Sequence, residues 1–183
     1  LDPSIQIKAE EALIEGLEKL DKRQGWRGPI SNYDLLTSTN EELSKYLQDL
    51  QTQLPKKRYA AIVTRVSKRF IEVMLQQKKK VKIEFKNASW VRPQTLKKDD
   101  KNRLIIHLGT KYKNFEQFIS EGDIVVAKEN KNKNIIFYSL SQIPNVNGAI
   151  VALDPNTGRV LAMSGGSVSY THLTLPTTCY VYM

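Results

Sequence analysis

Six short runs rich in β-branched and aromatic residues follow one another between residues 59 and 140, separated by polar turns rich in lysine and asparagine. The pattern is clearest at Val81, Ile83 and Phe85, which alternate with charged residues. A period of two places apolar side chains on one face of a strand and charged ones on the other. The predicted strands are 59–66, 69–75, 80–85, 103–107, 123–128 and 134–140.

Five or six short strands with no long helix between them predict a small closed or nearly closed β-barrel, of which the OB-fold is the common case. Residues 114–119 are predicted to form a short helix that plugs one end of the barrel. The lysine-rich runs 78–80 and 97–101 are predicted to be turns.

Two amphipathic helices are predicted before the strands, at residues 4–23 and 40–54. Their apolar residues recur at helical spacing, and Asp2, Pro3 and Ser4 are start signals for the first helix. Pairs that could cap the second helix are Ser38 with Glu41 and Thr39 with Glu42.

Two apolar strands, 148–153 and 159–163, are predicted to form a hairpin whose loop contains Pro155 and Gly158. Both faces of strand 148–153 are apolar, and such a strand needs cover on both sides. The hairpin is therefore expected to belong to a larger domain. The predicted fold class is α+β, mostly β, with two N-terminal helices, a small OB-like β-barrel and an isolated hairpin.

The positive charge of the chain lies in its middle segment. Residues 57–143 hold twenty basic and eight acidic side chains, whereas 1–56 carry a net charge of −3 and 144–183 a net charge of zero. Such a field indicates a solvated face, or one that binds nucleic acid, anionic glycan or an acidic partner. Candidate docking residues are Lys78, Lys79, Lys80 and Lys82.

Residue types that carry chemistry are sparse. The single cysteine, Cys179, excludes an internal disulfide, and His107 and His172 stand alone, so no metal site is expected. We predict that His107 is a packed or rim residue. No glycine-rich phosphate loop is present and no cofactor is expected. No apolar stretch reaches the roughly 20 residues of a membrane-spanning helix, and the N-terminal residues do not form a targeting segment.

Two stretches resemble class A penicillin-binding proteins of the Gram-negative type, in that family's order. The first comprises residues 1–6 (LDPSIQ) and 23–29 (RQGWRGP), and the second comprises 142–149 (QIPNVNGA), 151–155 (VALDP) and 157–163 (TGRVLAM). The resemblance implies a linker helix over 1–56, an OB-like accessory domain over 57–143 and the first hairpin of a truncated transpeptidase domain over 144–166. Residues 167–183 depart from the family and are interpreted as a non-native tail, which leaves Cys179 and His172 without a role.

The same resemblance implies a fragment of a peptidoglycan synthase that polymerises glycan and cross-links peptides through a penicillin-binding transpeptidase. No serine here has a lysine three residues later, and no Lys-Thr-Gly strand is present, so we expect no catalytic residues in this stretch. Ser38-Thr39-Asn40 matches the family's Ser-x-Asn element but precedes the predicted hairpin, so it is interpreted as a helix cap.

The stretch would then be a scaffold and docking module on the periplasmic side of the inner membrane. Its partner would be peptidoglycan or an outer-membrane lipoprotein activator, and contact with the membrane would come only through a segment outside this chain. The alternative is a nucleic-acid-binding OB module, for which Tyr59, Phe70 and Trp90 would be exposed stacking residues in a basic groove. Under the family resemblance, no nucleic acid is expected.

Overall fold

The computed structural model describes residues 1–33, 40–76 and 78–166. This part of the chain is mostly strands, with two helices, α1 and α2, which confirms the predicted fold class. The elements are α1 (Pro3–Arg23), β1 (Ser31–Asn32), α2 (Asn40–Thr52), β2 (Arg58–Val66), β3 (Phe70–Leu75), β4 (Lys80–Glu84), β5 (Gln94–Lys98), β6 (Leu104–Leu108), β7 (Asp123–Asn132), β8 (Ile135–Ser141), β9 (Gly148–Leu153) and β10 (Val160–Gly166).

Five strands close into the predicted OB-like barrel. Antiparallel pairs join β3 to β2, β2 to β7, β7 to β8 and β3 to β4, and β4 meets β8 in parallel at Ile83 and Tyr138. The short 3-10 turn Phe115–Gln117 lies where the plugging helix was predicted, and Phe115 is fully buried in the barrel core. Other core side chains are Ala61, Val63, Ile71, Val73, Ile83, Val125 and Leu140.

Strand β2 is buried on both faces because α2 covers the outside of the barrel. Ala61 and Val63 point into the barrel, whereas Ala60 and Ile62 join a second cluster with α2. The leucines of that cluster are Leu43, Leu47, Leu50 and Leu54. Burying a leucine side chain stabilises the fold by about 1.5–3 kcal/mol, so these contacts hold α2 firmly in place.

The prediction that residues 103–107 form a barrel strand was wrong. β6 pairs only with β5 among the described strands, and β5 was not predicted because its sequence, QTLKK, resembles a polar turn. Lys97 and Lys98 therefore lie in a strand rather than in a turn. The resulting hairpin stands outside the barrel, with Leu96 and Leu104 about two-thirds exposed (64% and 66%). The spacing of apolar residues in a sequence identifies a strand but not the strand with which it pairs.

Helix α1, at the beginning of the described chain, contacts strand β10 at its other end. Asp2 caps it as predicted, because its Oδ1 accepts hydrogen bonds from the backbone N–H groups of Ser4 and Ile5. The Gln6 side chain donates to the Met163 carbonyl and accepts from the Met163 N–H, both at 3.0 Å. The start of α1 is thereby hydrogen-bonded to β10.

The hairpin β9–β10 has the predicted loop, with Gly158 at a φ of +69°. One face of β9 contacts α1, and an added Cβ at Gly148 would lie 3.0 Å from Leu17. The opposite face is open, because Val151 and Leu153 are more than half exposed. The α1 helix therefore supplies half of the cover that the sequence requires.

Several predictions fall outside the described residues. They are the capping pairs that use Ser38 and Thr39, and the tail that holds His172 and Cys179. Neither α1 nor α2 has a stretch long and apolar enough to cross a membrane.

Candidate functional site

The four predicted docking lysines occupy three environments. Lys78 lies in the β3–β4 turn with a φ of +58°, and Lys80 is exposed on the outer face of β4. The Lys79 ammonium donates to the Tyr138 hydroxyl at 3.3 Å, so it is held against β8. The Lys82 ammonium lies 3.8 Å from the centre of the Phe70 ring. The structure thus places Lys78 and Lys80 at one end of the barrel and Lys82 on the wall of a separate groove.

This groove lies between the β2–β3 turn and the end of β4. It is open, with a volume of about 700 Å³, and its walls come from residues 67–70, 82, 84–86 and 113–114. Five of its side chains are cationic and one, Glu84, is anionic. Lys86 binds Glu84 at 2.6 Å, which helps lower the pKa of that carboxyl. The groove keeps a large excess of positive charge and can attract anions.

A second cluster of charges is buried where α1 meets the barrel and the segment that leads to β9. The Asp21 carboxylate is 1% exposed and forms a two-pronged ion pair with Arg27 at 2.7 and 3.1 Å. The same carboxylate accepts hydrogen bonds from the Gln142 amide at 2.6 Å and from the Asn145 N–H at 2.9 Å. Arg27 also donates to the Ile143 carbonyl. One carboxylate therefore joins the end of α1 to the segment that precedes β9.

Glu18 forms the matching link between α1 and the barrel wall. Its carboxylate accepts from Arg58 on β2 at 2.6 Å and from Lys128 on β7 at 2.7 Å. Burial raises the pKa of Glu18, but the hydrogen bonds from these two cations outweigh it, so the pKa lies below its ordinary value. Burial also lowers the pKa of Lys22, whose ammonium lies 5.3 Å from the Trp90 ring. We name the Asp21 and Glu18 clusters together the junction.

The junction also contains an aromatic contact that the sequence did not predict. Trp26, which directly precedes Arg27, is buried in the barrel core and packs edge-on against Trp90 and Phe118. Its backbone N–H donates to the Arg92 carbonyl at 2.8 Å. The stretch predicted to be a linker therefore contributes a core residue to the barrel.

The aromatic residues proposed as nucleic-acid stacking sites are not exposed. Tyr59 donates a hydrogen bond to Glu129, and Trp90 donates one to the Leu140 carbonyl; both rings pack against the barrel core. Burial and the nearby Glu129 raise the pKa of Tyr59. Only Phe70 of the three lines the basic groove, and it is half-buried. The expectation of three exposed aromatic rings was wrong because a strand aromatic can face either side of its sheet.

His107 is exposed on β6 and lies outside the barrel, so it is not a packed residue. Within residues 1–33, 40–76 and 78–166, no three His, Cys, Asp or Glu side chains come together as a metal-binding group.

Sequence reasoning missed the junction because its residues resemble an ordinary solvated helix face. Glu18 and Asp21 are charged positions on an amphipathic helix, and their partners are 40 or more residues distant, apart from Arg27. The available signal was the pair of motifs 23–29 and 142–149. Both contain junction residues, so their joint presence could have suggested contact.

Comparisons with known proteins give a consistent result. A protein-family model described as "Penicillin-binding protein OB-like domain" matches residues 26–146. The curated penicillin-binding protein 1A of Rickettsia felis is 34% identical over 166 residues, which cover 91% of this chain and 18% of the relative. That of Vibrio cholerae is 28% identical over 172 residues, covering 91% of this chain and 19% of the relative.

The fold has a counterpart among solved structures. The crystal structure of penicillin-binding protein 1A from Haemophilus influenzae superposes with a TM-score of 0.61 at 21% identity, covering 91% of this chain and 21% of that one. The chain thus spans about a fifth of the length of these relatives.

Proposed function

The chain belongs to the class A penicillin-binding proteins through their OB-like domain, and from that premise we propose that it is a non-catalytic scaffold and docking module of a peptidoglycan synthase. Membership of the family makes the chain a piece of such a synthase. The scaffold role rests on the junction, where α1 binds the barrel through Glu18 and the segment before β9 through Asp21.

The junction supports a scaffold because its buried carboxylates join distant segments of the chain through directional, charge-assisted hydrogen bonds. Each carboxylate has at least two directional partners on separate segments of the chain. Loss of one partner would leave a buried charge, which is strongly unfavourable. A barrel held in this way keeps a constant position relative to the β9–β10 hairpin, and any surface on it is presented at a defined place.

For docking, the proposed surface is the lysine set Lys78, Lys79, Lys80 and Lys82. Its proposed partner is peptidoglycan or an outer-membrane lipoprotein activator, on the periplasmic side of the inner membrane. Support comes from the net charge of +12 over residues 57–143, which suits an anionic wall polymer or an acidic protein surface.

The test is co-sedimentation of the 183-residue chain with purified peptidoglycan sacculi at low ionic strength. Reversing the four lysines to glutamate should abolish most of the bound fraction, because surface attraction of this kind is electrostatic. The matched control reverses Lys97, Lys98, Lys101 and Arg103 on the β5–β6 hairpin, with the same change in net charge. Equal binding of the wild type and the four-lysine variant would remove the docking proposal.

A second measurement addresses the absence of catalysis. Fluorescent penicillin should not label the chain, since none of its serines has a lysine three residues later. Stable labelling would contradict the non-catalytic role.

A further inference from the structure

We propose that the groove lined by Lys68, Arg69 and Lys113 binds an extended segment of acidic polypeptide, whose carboxylates meet the three cations. This inference does not require the docking role proposed for Lys78, Lys79, Lys80 and Lys82, although Lys82 also lines the groove.

The charges of the groove are available for a ligand. Lys68, Arg69 and Lys113 form no side-chain ion pair or hydrogen bond with any residue in the described part of the chain. Glu84 is already bound to Lys86. Cations that gather on one wall without counter-charges raise the local positive potential, so carboxylates are the complementary groups.

The aromatic rings of the groove favour a peptide over a stacked base or sugar. Phe70 carries the Lys82 ammonium 3.8 Å from its ring centre and the Arg65 guanidinium at 6.0 Å. Phe85 packs edge-on against Phe115 of the barrel core at 5.4 Å. Both rings are thus engaged by protein groups instead of forming an open stacking platform. Their remaining surface suits an apolar side chain, and a volume of about 700 Å³ holds a few residues.

The primary experiment measures the fluorescence anisotropy of a labelled octapeptide of alternating glutamate and leucine, titrated with the 183-residue chain. Salt is kept at about 0.15 M, where the screening length is about 8 Å and remote charges contribute little. The acidic peptide should bind, and its glutamine counterpart should bind at least about tenfold more weakly. Absence of binding by the acidic peptide would overturn the proposal.

Two double variants separate a local site from the general positive field. Lys68→Glu with Lys113→Glu should weaken binding by more than about tenfold, since both proposed carboxylate partners are reversed. Lys97→Glu with Lys98→Glu makes the same change in net charge on the β5–β6 hairpin, which does not line the groove, and should weaken binding by less than about threefold. Equal losses would show that only net charge matters and would overturn the site.

Competition decides the class of ligand. A single-stranded oligonucleotide or a carboxylated oligosaccharide of equal charge that displaced the peptide as strongly as unlabelled peptide would overturn the peptide assignment. The sacculus test reverses Lys82 of the groove wall together with Lys78, Lys79 and Lys80, whereas Lys68→Glu with Lys113→Glu leaves those four lysines unchanged, so either proposal can fail alone.

Discussion

The junction and the groove both hold close carboxylate–cation pairs, yet they differ in burial. Asp21 lies 2.7 Å from Arg27 and is 1% exposed, whereas Glu84 lies 2.6 Å from Lys86 and is half exposed. Distance alone would rank the two pairs as equal. Water screens the groove pair, and the buried pair cannot exchange its partner for solvent. We therefore infer that the junction charges stabilise the fold and that the groove charges bind a ligand.

The largest expected effect compares these two carboxylates directly. Asp21→Ala should lower the free energy of unfolding by about 3 kcal/mol or more, because Arg27 and Gln142 lose a buried partner. Glu84→Ala should leave the free energy of unfolding nearly unchanged, because its ion pair with Lys86 is exposed to water. Urea unfolding of both variants, followed by circular dichroism, measures the difference. Similar losses would mean that burial does not separate the two regions.

A smaller effect is expected at Glu18 and depends on pH. Glu18→Gln should cost about 2 kcal/mol at neutral pH, where the charged hydrogen bonds to Arg58 and Lys128 are lost. The folded-state pKa of Glu18 lies below its ordinary value near 4.5, so the unfolded chain binds the proton more readily. The stabilisation by Glu18 is therefore full above about pH 4.5 and is lost as pH falls through the folded-state pKa.

The measurement for Glu18 is urea unfolding of the wild type and Glu18→Gln between neutral pH and pH 3. The difference in stability between the two proteins should narrow toward acid. Asp2, Glu84, Asp99 and Asp154 also have lowered pKa values, but they are present in both proteins and cancel in the comparison. A difference that stayed constant with pH would contradict the role of the Glu18 charge.

The barrel was predictable from the sequence because local pattern determines it. Alternating residues such as Val81 and Ile83 face the core of any small barrel, and the strand count suggested the OB-like architecture. Asp2 and Gly158 also act through their immediate neighbours and were predicted correctly.

The junction depends on contacts between distant segments, which local pattern does not encode. Asp21 and Gln142 are 121 positions apart, and nothing near either residue indicates the other. The prediction that β6 belongs to the barrel was wrong for the same reason, since the sequence LIIHL can form a strand in a barrel or in a separate hairpin. The groove follows from the turn geometry at residues 67–70 and 113–114, whereas sequence reasoning placed the charge on the longer lysine run at 78–80.

The smallest expected effect comes from comparing the same substitution, lysine to glutamine, in the groove and in the junction. Lys113→Gln removes a groove cation that has no ion pair in the described part of the chain, so the free energy of unfolding should change by less than about 0.5 kcal/mol. Lys128→Gln removes a cation bound to Glu18 at 2.7 Å and 19% exposed, and should cost about 1–2 kcal/mol. Thermal unfolding at low and high salt provides the measurement. A loss at Lys113 as large as that at Lys128 would show that groove charges also support the fold, and the division of roles between the two regions would then be wrong.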